Sequence, residues 1–201
     1  MLSMRKLGAL ASIAGRRAAN SYDSLLVTQP IVTKACTAVV IAAAGDIVCQ
    51  SLQGASLSAA LVEAPEAAPD AVPFDVARVA RFASFAAIMT PFVHAWLLAL
   101  SKRVRSPVVR VLWDQLLWAP IGCVAFLVYN ASLQGSPAPL ADALAKAETV
   151  LYANWAVWPM VQLLNFSLVP QRYQVLVVSG ASFFWSIFLS FVAAAPSVVV
   201  K

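Results

Sequence analysis

At 201 residues the chain has room for one domain, yet 61% of its residues are hydrophobic and 11% are charged, where a soluble domain carries about 25% charged residues. So little charge cannot cover a globule of this size with polar surface, which excludes an ordinary soluble protein and points to helices whose exterior is lipid. The net charge of +5 sits largely in short segments flanking apolar runs, a poor arrangement for binding nucleic acid, and no such partner is expected.

Residues 1–22 hold Arg5, Lys6, Arg16 and Arg17, no acid, and several serines and alanines, the composition of a mitochondrial targeting segment. A basic tail on the non-translocated side of a membrane is the alternative. On a helix the four basic residues fall within an arc of about 120°, but Leu2 and Ile13 share that arc, so the amphipathic separation is poor. The rest, 23–201, reads as a single membrane domain.

A first span near 31–52 contains Lys34 and Asp46. An Asp at a helix centre costs about 3 kcal/mol on the insertion scale, and each large aliphatic returns about 0.3 to 0.6. Val39, Val40, Ile41, Ile47, Val48 and Leu52 just offset it, provided that Lys34 snorkels to the interface and Asp46 faces helices or water. Residues 54–75 read as an acidic, proline-rich loop: Pro65, Pro69 and Pro73 interrupt any helix, and four of the nine acids (Glu63, Glu66, Asp70, Asp75) fall there.

Four further apolar runs follow. Twenty residues separate Arg81 from Lys102, 27 uncharged residues separate Asp114 from Asp142, 23 separate Glu148 from Arg172, and 28 separate Arg172 from Lys201. A bilayer core about 30 Å thick needs roughly 20 residues of helix. Spans are therefore expected near 79–101, 111–132, 150–169 and 175–198. The fold class is all-α, a polytopic transmembrane helix bundle of four spans with a fifth C-terminal apolar helix that either crosses or lies against the bundle. Basic segments (the N-terminus, residues 101–110, Arg172) alternate with acidic ones (54–75, then Asp142 to Glu148), as the positive-inside rule requires of that span count.

The polar residues at membrane depth are the functional material. Asn154, Trp158, Gln162 and Asn165, spaced 4, 4 and 3 apart, fall within about 80° on a helix. They line a solute pathway or make interhelical hydrogen bonds. Asp46 and Gln50 lie one turn apart. Arg110 and Asp114 have the same spacing and read as an interfacial salt bridge. Asp46, with no basic residue within a turn, is therefore expected to be the acid on the pathway rather than Asp114. Arg78 and Arg81, beside Asp75, form a candidate cationic mouth, or else anchor a helix at the interface. His94, one turn after Pro91, is the only histidine, which excludes a multi-histidine metal site; it joins the candidate pathway residues, as a pH-responsive group or as a neutral partner for a backbone carbonyl freed by Pro91. Cys36, Cys49 and Cys123 lack the close spacing of a zinc or redox site and read as packing residues. No cofactor motif is present, and no enzyme activity is expected: Gly180-Ala181-Ser182 matches the setting of an intramembrane serine nucleophile only in part, since Phe183 stands where a glycine belongs.

The run Trp158, Pro159, Gln162, Asn165, Phe166, Val169 and Pro170, followed by Trp185 and Leu189-Ser190, resembles the C-terminal signature of the Mpv-seventeen and peroxisomal-membrane-protein-twenty-two family. The resemblance extends to Gly45-Asp46 with Gln50, to Asp75, Arg78 and Arg81, to Pro91, His94 and Trp96, and to Asp114-Gln115 with Pro120, across residues 22 to 190. Thr90-Pro91, Trp96-Leu97 and Gln174 depart from the family's usual Gly-Pro, Trp-Tyr and Arg. The resemblance implies a small integral protein of the mitochondrial inner membrane, or alternatively of the peroxisomal membrane. It further implies a channel-like role in passage of small solutes, with effects on membrane potential and mitochondrial DNA maintenance, and no catalysis. A non-conducting scaffold or assembly factor is the other reading, and a peroxisomal pore a second alternative. The expected partners are the lipid bilayer and small solutes, with homo-oligomerisation left open.

Overall fold

The computed structural model describes Arg17 and residues 20–63 and 73–194. Most of the basic segment 1–22, residues 64–72 of the acidic loop and the end of the expected span 175–198 lie outside the described residues. Those described are helical apart from short connections. A short helix α1 (residues 20–28) leads into α2 (Pro30–Glu63), α3 (Val76–Arg103), α4 (Pro107–Leu133), α5 (Pro139–Leu168) and α6 (Gln174–Ala194), with a 3₁₀ turn Gln171–Tyr173 before α6.

The ends of these helices follow from local chemistry. Asp75 caps α3, its carboxylate accepting the Arg78 backbone N–H at 2.8 Å. Pro107 and Pro139 open α4 and α5, where a missing N–H costs nothing. Gly135, at φ +79°, takes the left-handed conformation that stops α4. Val169 is extended because it precedes Pro170, and α5 ends there.

By length and composition three helical stretches among the described residues can cross a bilayer: Pro30–Gly54, Val76–Arg103 and Pro107–Leu133. α5 is long enough at 30 residues, but Asn154, Gln162 and Asn165 dilute its apolar half. The expected spans four and five thus correspond to observed helices: α5, which falls short of that measure, and α6, an apolar helix with no charged residue. Two boundaries are corrected. α2 runs on to Glu63 instead of ending at the loop, since no proline intervenes before Pro65. Asp142, Lys146 and Glu148 ride the first turns of α5 rather than a loop.

α2 packs along α3 and α6, while α4 packs along α5. Nearly as many polar side chains as apolar ones are buried, and the exterior carries Val40, Ile88, Phe92, Leu116 and Leu168. This inverted distribution suits a lipid surround, in which helices gain little from hiding apolar surface and associate through close packing and hydrogen bonds. The apolar core proper is small: Leu97, Leu100, Phe166 and Val175, joining α3, α5 and α6. At Gly45 the backbone of α2 meets α6 so closely that an added Cβ would stand 3.3 Å from Phe183 Cδ2 and 3.5 Å from its Cα. Gly45→Val is expected to wedge the two helices apart and cost about 1 to 3 kcal/mol, read as a lower melting temperature of the detergent-purified protein; Gly45→Ala loses less.

Candidate functional site

α4 is not a continuous α-helix. Asp114–Trp118 forms a π turn, closed by the Ala119 N–H on the Asp114 carbonyl. In that register the next acceptor, the Gln115 carbonyl, would need an N–H at position 120, and Pro120 has none. The Trp155 indole Nε1 of α5 donates to it instead, at 3.2 Å. Within this turn the consecutive residues Asp114 and Gln115 are both buried.

Asp114 is the hub of the buried polar network. Its Oδ1 accepts from Trp96 Nε1 of α3 at 3.0 Å. Its Oδ2 accepts from Gln115 Nε2 at 2.9 Å and from Gln162 Nε2 of α5 at 2.9 Å. The chain continues from Gln162 Oε1 to Asn165 Nδ2 at 3.1 Å. Asn165 then reaches α6, donating to the Gln174 carbonyl at 3.4 Å while Gln174 Nε2 donates to the Val169 carbonyl at 3.3 Å. Four helices, α3 to α6, are thereby joined to one carboxylate that has no cationic partner among the described residues. The expected Arg110–Asp114 pair is absent: Arg110 donates from Nε to the Val104 carbonyl at 2.7 Å, closing the end of α3. Those carbonyls lack intrahelical donors and compete for the guanidinium, while the π turn carries Asp114 inward.

Asp46 is equally buried but differently held. Arg78 Nε lies 2.8 Å from Asp46 Oδ1 as an ion pair, off the line of a hydrogen bond, and Gln50 Nε2 donates to Oδ2 at 2.8 Å. The basic partner comes from α3 rather than from its own helix. Gln50 also pairs with the backbone of Asp75 in both directions, accepting its N–H at 2.7 Å and donating to its carbonyl at 3.0 Å. Arg78 adds contacts to Gln53 Oε1 at 3.2 Å and Cys49 Sγ at 3.3 Å. Arg81 Nη2 binds Asp75 Oδ2 at 3.0 Å. The two arginines of the candidate mouth are therefore each matched by a carboxylate: Arg78 fastens α3 to α2, while Arg81 braces the cap of its own helix.

Asp75 stands outside the spans. The N–H of Arg78, and after it the Arg81 side chain, hold its carboxyl below the ordinary carboxylate value against a smaller opposing effect of burial. A depressed folded pKa stabilises the folded form above the ordinary value, and that contribution is lost as pH falls through the depressed one. Melting of the parent and of Asp75→Asn, followed in detergent against pH, is expected to differ at neutral pH and to converge in acid.

Lys34 and His94 form a third cluster. Lys34 is 4% exposed, contrary to the expected snorkelling, and its Nζ lies 2.9 Å from His94 Nδ1. If Lys34 is an ammonium it only donates, and Nδ1 is then the acceptor. His94 thus serves α2 rather than a carbonyl freed by Pro91. Ser182 donates to the Val178 carbonyl at 2.9 Å, so the serine and the histidine each have other partners.

A cavity of about 510 Å³ lies between the α2–α3–α6 group and the α4–α5 pair, and all five helices line it. Of the residues singled out by sequence, Asn154, Trp158, Gln162, Arg78, Asp114, Gln115 and Trp185 line this cavity; Asp46, Gln50, His94 and Asn165 do not. Its aromatic wall includes Phe82, Phe85 and Phe126, the last in edge contact with both others at 5.3 and 5.2 Å, and Trp118, stacked on Trp96 at 5.5 Å. Sequence reading missed this wall, since Phe82 and Phe85 share a face with Phe126 only once α3 and α4 are docked. Elsewhere Tyr173 donates to Asp23, tying the α5–α6 connection to α1. Pro91 and Pro159 sit inside α3 and α5, and Phe166 and Pro170 pack and terminate α5.

The arrangement is that of an all-helical membrane protein with a largely apolar cavity between its helices, polar at Asp114, Gln115 and Gln162. The chain belongs to the Mpv17 / PMP22 family, whose profile matches residues 138–190. It is similar to Protein SYM1 of Gibberella zeae (30% identical, covering 85% of this chain and 94% of that one) and to Protein sym1 of Schizosaccharomyces pombe (32%, 87% and 90%). It is also similar to PXMP2/4 family protein 2 of Dictyostelium discoideum (29%, 86% and 89%). No solved structure matches the chain.

Proposed function

We propose that this protein is a mitochondrial inner-membrane member of the family that forms or regulates a passage for small polar solutes, and that its effect on membrane potential and mitochondrial DNA maintenance follows from that passage. The observation that carries the reading is Asp114: a carboxylate 2% exposed, lining the cavity, held by three neutral donors and, among the described residues, by no cation. An intramembrane acid that only fastened helices would be better served by a basic partner, as Asp46 is by Arg78. In this reading α5 and α6 also cross the bilayer, which brings Asn154, Trp158 and Gln162 to membrane depth. The acid-free basic segment 1–22 supports the mitochondrion as the location.

The test is conductance of the purified full chain in a planar bilayer. The parent is expected to pass ions with a preference for cations, Asp114→Asn to conduct without that preference, and Asp142→Asn, a change at an exposed acid off the cavity wall, to conduct like the parent. A silent bilayer for well-folded protein would favour the scaffold reading. Peroxisomal signal from the tagged full-length chain would overturn the location, and unchanged mitochondrial signal after removal of residues 1–22 would remove the targeting argument.

A further inference from the structure

The charges that line the cavity are unequal in their surroundings. Arg78 and Asp114 are the charged residues on its wall. Arg78 is offset by Asp46, whereas Asp114 meets N–H groups that carry no charge. A carboxylate offers about four lone-pair positions, and here Oδ2 accepts two bonds and Oδ1 one. One position on Oδ1 remains.

The unpaired polar atoms along this wall are mostly acceptors. Gln115, 7% exposed and bonded to Asp114 through Nε2, has no partner on Oε1, and Asn154 has none on Oδ1. Both residues line the cavity. The Trp158 indole N–H is the unpaired donor on the same wall. A ligand rich in N–H donors and carrying positive charge therefore satisfies more of this wall than an anion does. A divalent metal ion would want about six or more oxygen ligands, and the wall presents three such residues. The rest is aromatic and aliphatic: Trp118, one turn after Asp114, and farther along the wall Phe126, Phe82 and Phe85 offer apolar surface for a carbon chain. At about 510 Å³ the space matches an organic molecule.

We infer that the cavity takes a small primary organic ammonium, its N–H groups on Asp114 and the adjacent Gln115 amide oxygen and its carbon body along the apolar wall that begins at Trp118. This rests on the cavity being the pathway and narrows that reading to a substrate class. The same chemistry could come from a free amine or from an ethanolamine lipid headgroup.

The experiment titrates the full chain in detergent with n-butylammonium chloride, following tryptophan fluorescence and thermal melting, with 1-butanol and sodium butyrate as neutral and anionic counterparts. Saturable binding is expected for butylammonium alone. It should weaken by a factor on the order of 30 or more in Asp114→Asn and persist in Asp142→Asn, a change at an exposed acid. Equal responses to butanol or butyrate, or unaltered binding in Asp114→Asn, would overturn the inference. If Asp114→Asn does not fold, Asp114→Glu keeps the charge but advances it by one methylene; preference is then expected to move to shorter amines, and an unmoved chain-length profile would overturn the inference. In phosphatidylcholine vesicles, competition by added phosphatidylethanolamine assigns the head group to lipid and its absence to a free amine; both outcomes support ammonium recognition. Because binding is read without conductance, a silent bilayer alongside saturable amine binding counts against the channel alone. Conductance without amine binding counts against this inference alone.

Discussion

Asp114→Ala is expected to melt far below the parent in detergent, or to fail to accumulate in the membrane. On the membrane average of about 0.6 kcal/mol per interhelical hydrogen bond, losing the bonds from Trp96 and Gln162 would cost little more than about 1 kcal/mol. The orphaned donors decide the magnitude. Trp96 Nε1, Gln115 Nε2 and Gln162 Nε2 all lose their acceptor, and a buried unpaired donor costs about 1 to 3 kcal/mol. The loss also propagates, because Gln162 positions Asn165, which connects α5 to Gln174. Asp114→Asn keeps one oxygen as acceptor and should melt closer to the parent, which is why it suits the conductance measurement. Melting of Asp114→Ala within about 1 kcal/mol of the parent would mean that these donors find water or other acceptors.

Arg78→Gln is expected to be the second most damaging change. It leaves the Asp46 carboxylate, 1% exposed, without its counter-charge, and breaking such a buried pair costs about 3 to 5 kcal/mol. The lower end applies here, since the Arg78 side chain is 30% exposed and Gln50 still donates to Asp46. The double change Asp46→Asn with Arg78→Gln should recover most of that loss, because the cost arises from an uncompensated charge rather than from absent packing. A double-mutant cycle on urea or thermal unfolding in detergent measures the coupling; strictly additive losses would contradict the pair.

The helices are largely legible in the sequence because charges punctuate the apolar runs, and bilayer thickness converts those intervals into lengths. α2 is longer than its sequence suggests, because prolines beyond position 64 do not disturb the residues before it. Within the site, the amide and indole stripe of α5 is visible from spacing alone, and three of its four members line the cavity. The acids are harder. The partner of Asp46 lies 32 residues along the chain, and no local pattern connects it with Arg78. The Arg110–Asp114 spacing suggests a bond that helix-end carbonyls and a π turn prevent. The proline at 120 is the available hint of that turn, but a proline near a helix start fits regular geometry equally well. An isolated lysine ordinarily seeks water, which points Lys34 to the interface; its actual partner, His94, is 60 residues away.

The π turn also sets the rotational phase of α4. A regular α-helix advances about 100° per residue, and the wide turn at Asp114–Trp118 absorbs a residue's worth of that advance within one loop of backbone. Everything after it is clocked relative to everything before. Downstream, Phe126 and Tyr129 face Phe85 of α3, and the Tyr129 hydroxyl lies 2.7 Å from Ser84 Oγ; upstream, Asp114 faces Trp96 of the same α3. Two separated stretches of α4 thus address one neighbour through a helix whose two halves are out of step. Closing the turn to regular α geometry by deleting one residue would turn one stretch away from α3 while the other stayed, so the cavity wall and the acid beside it depend on a single extra residue.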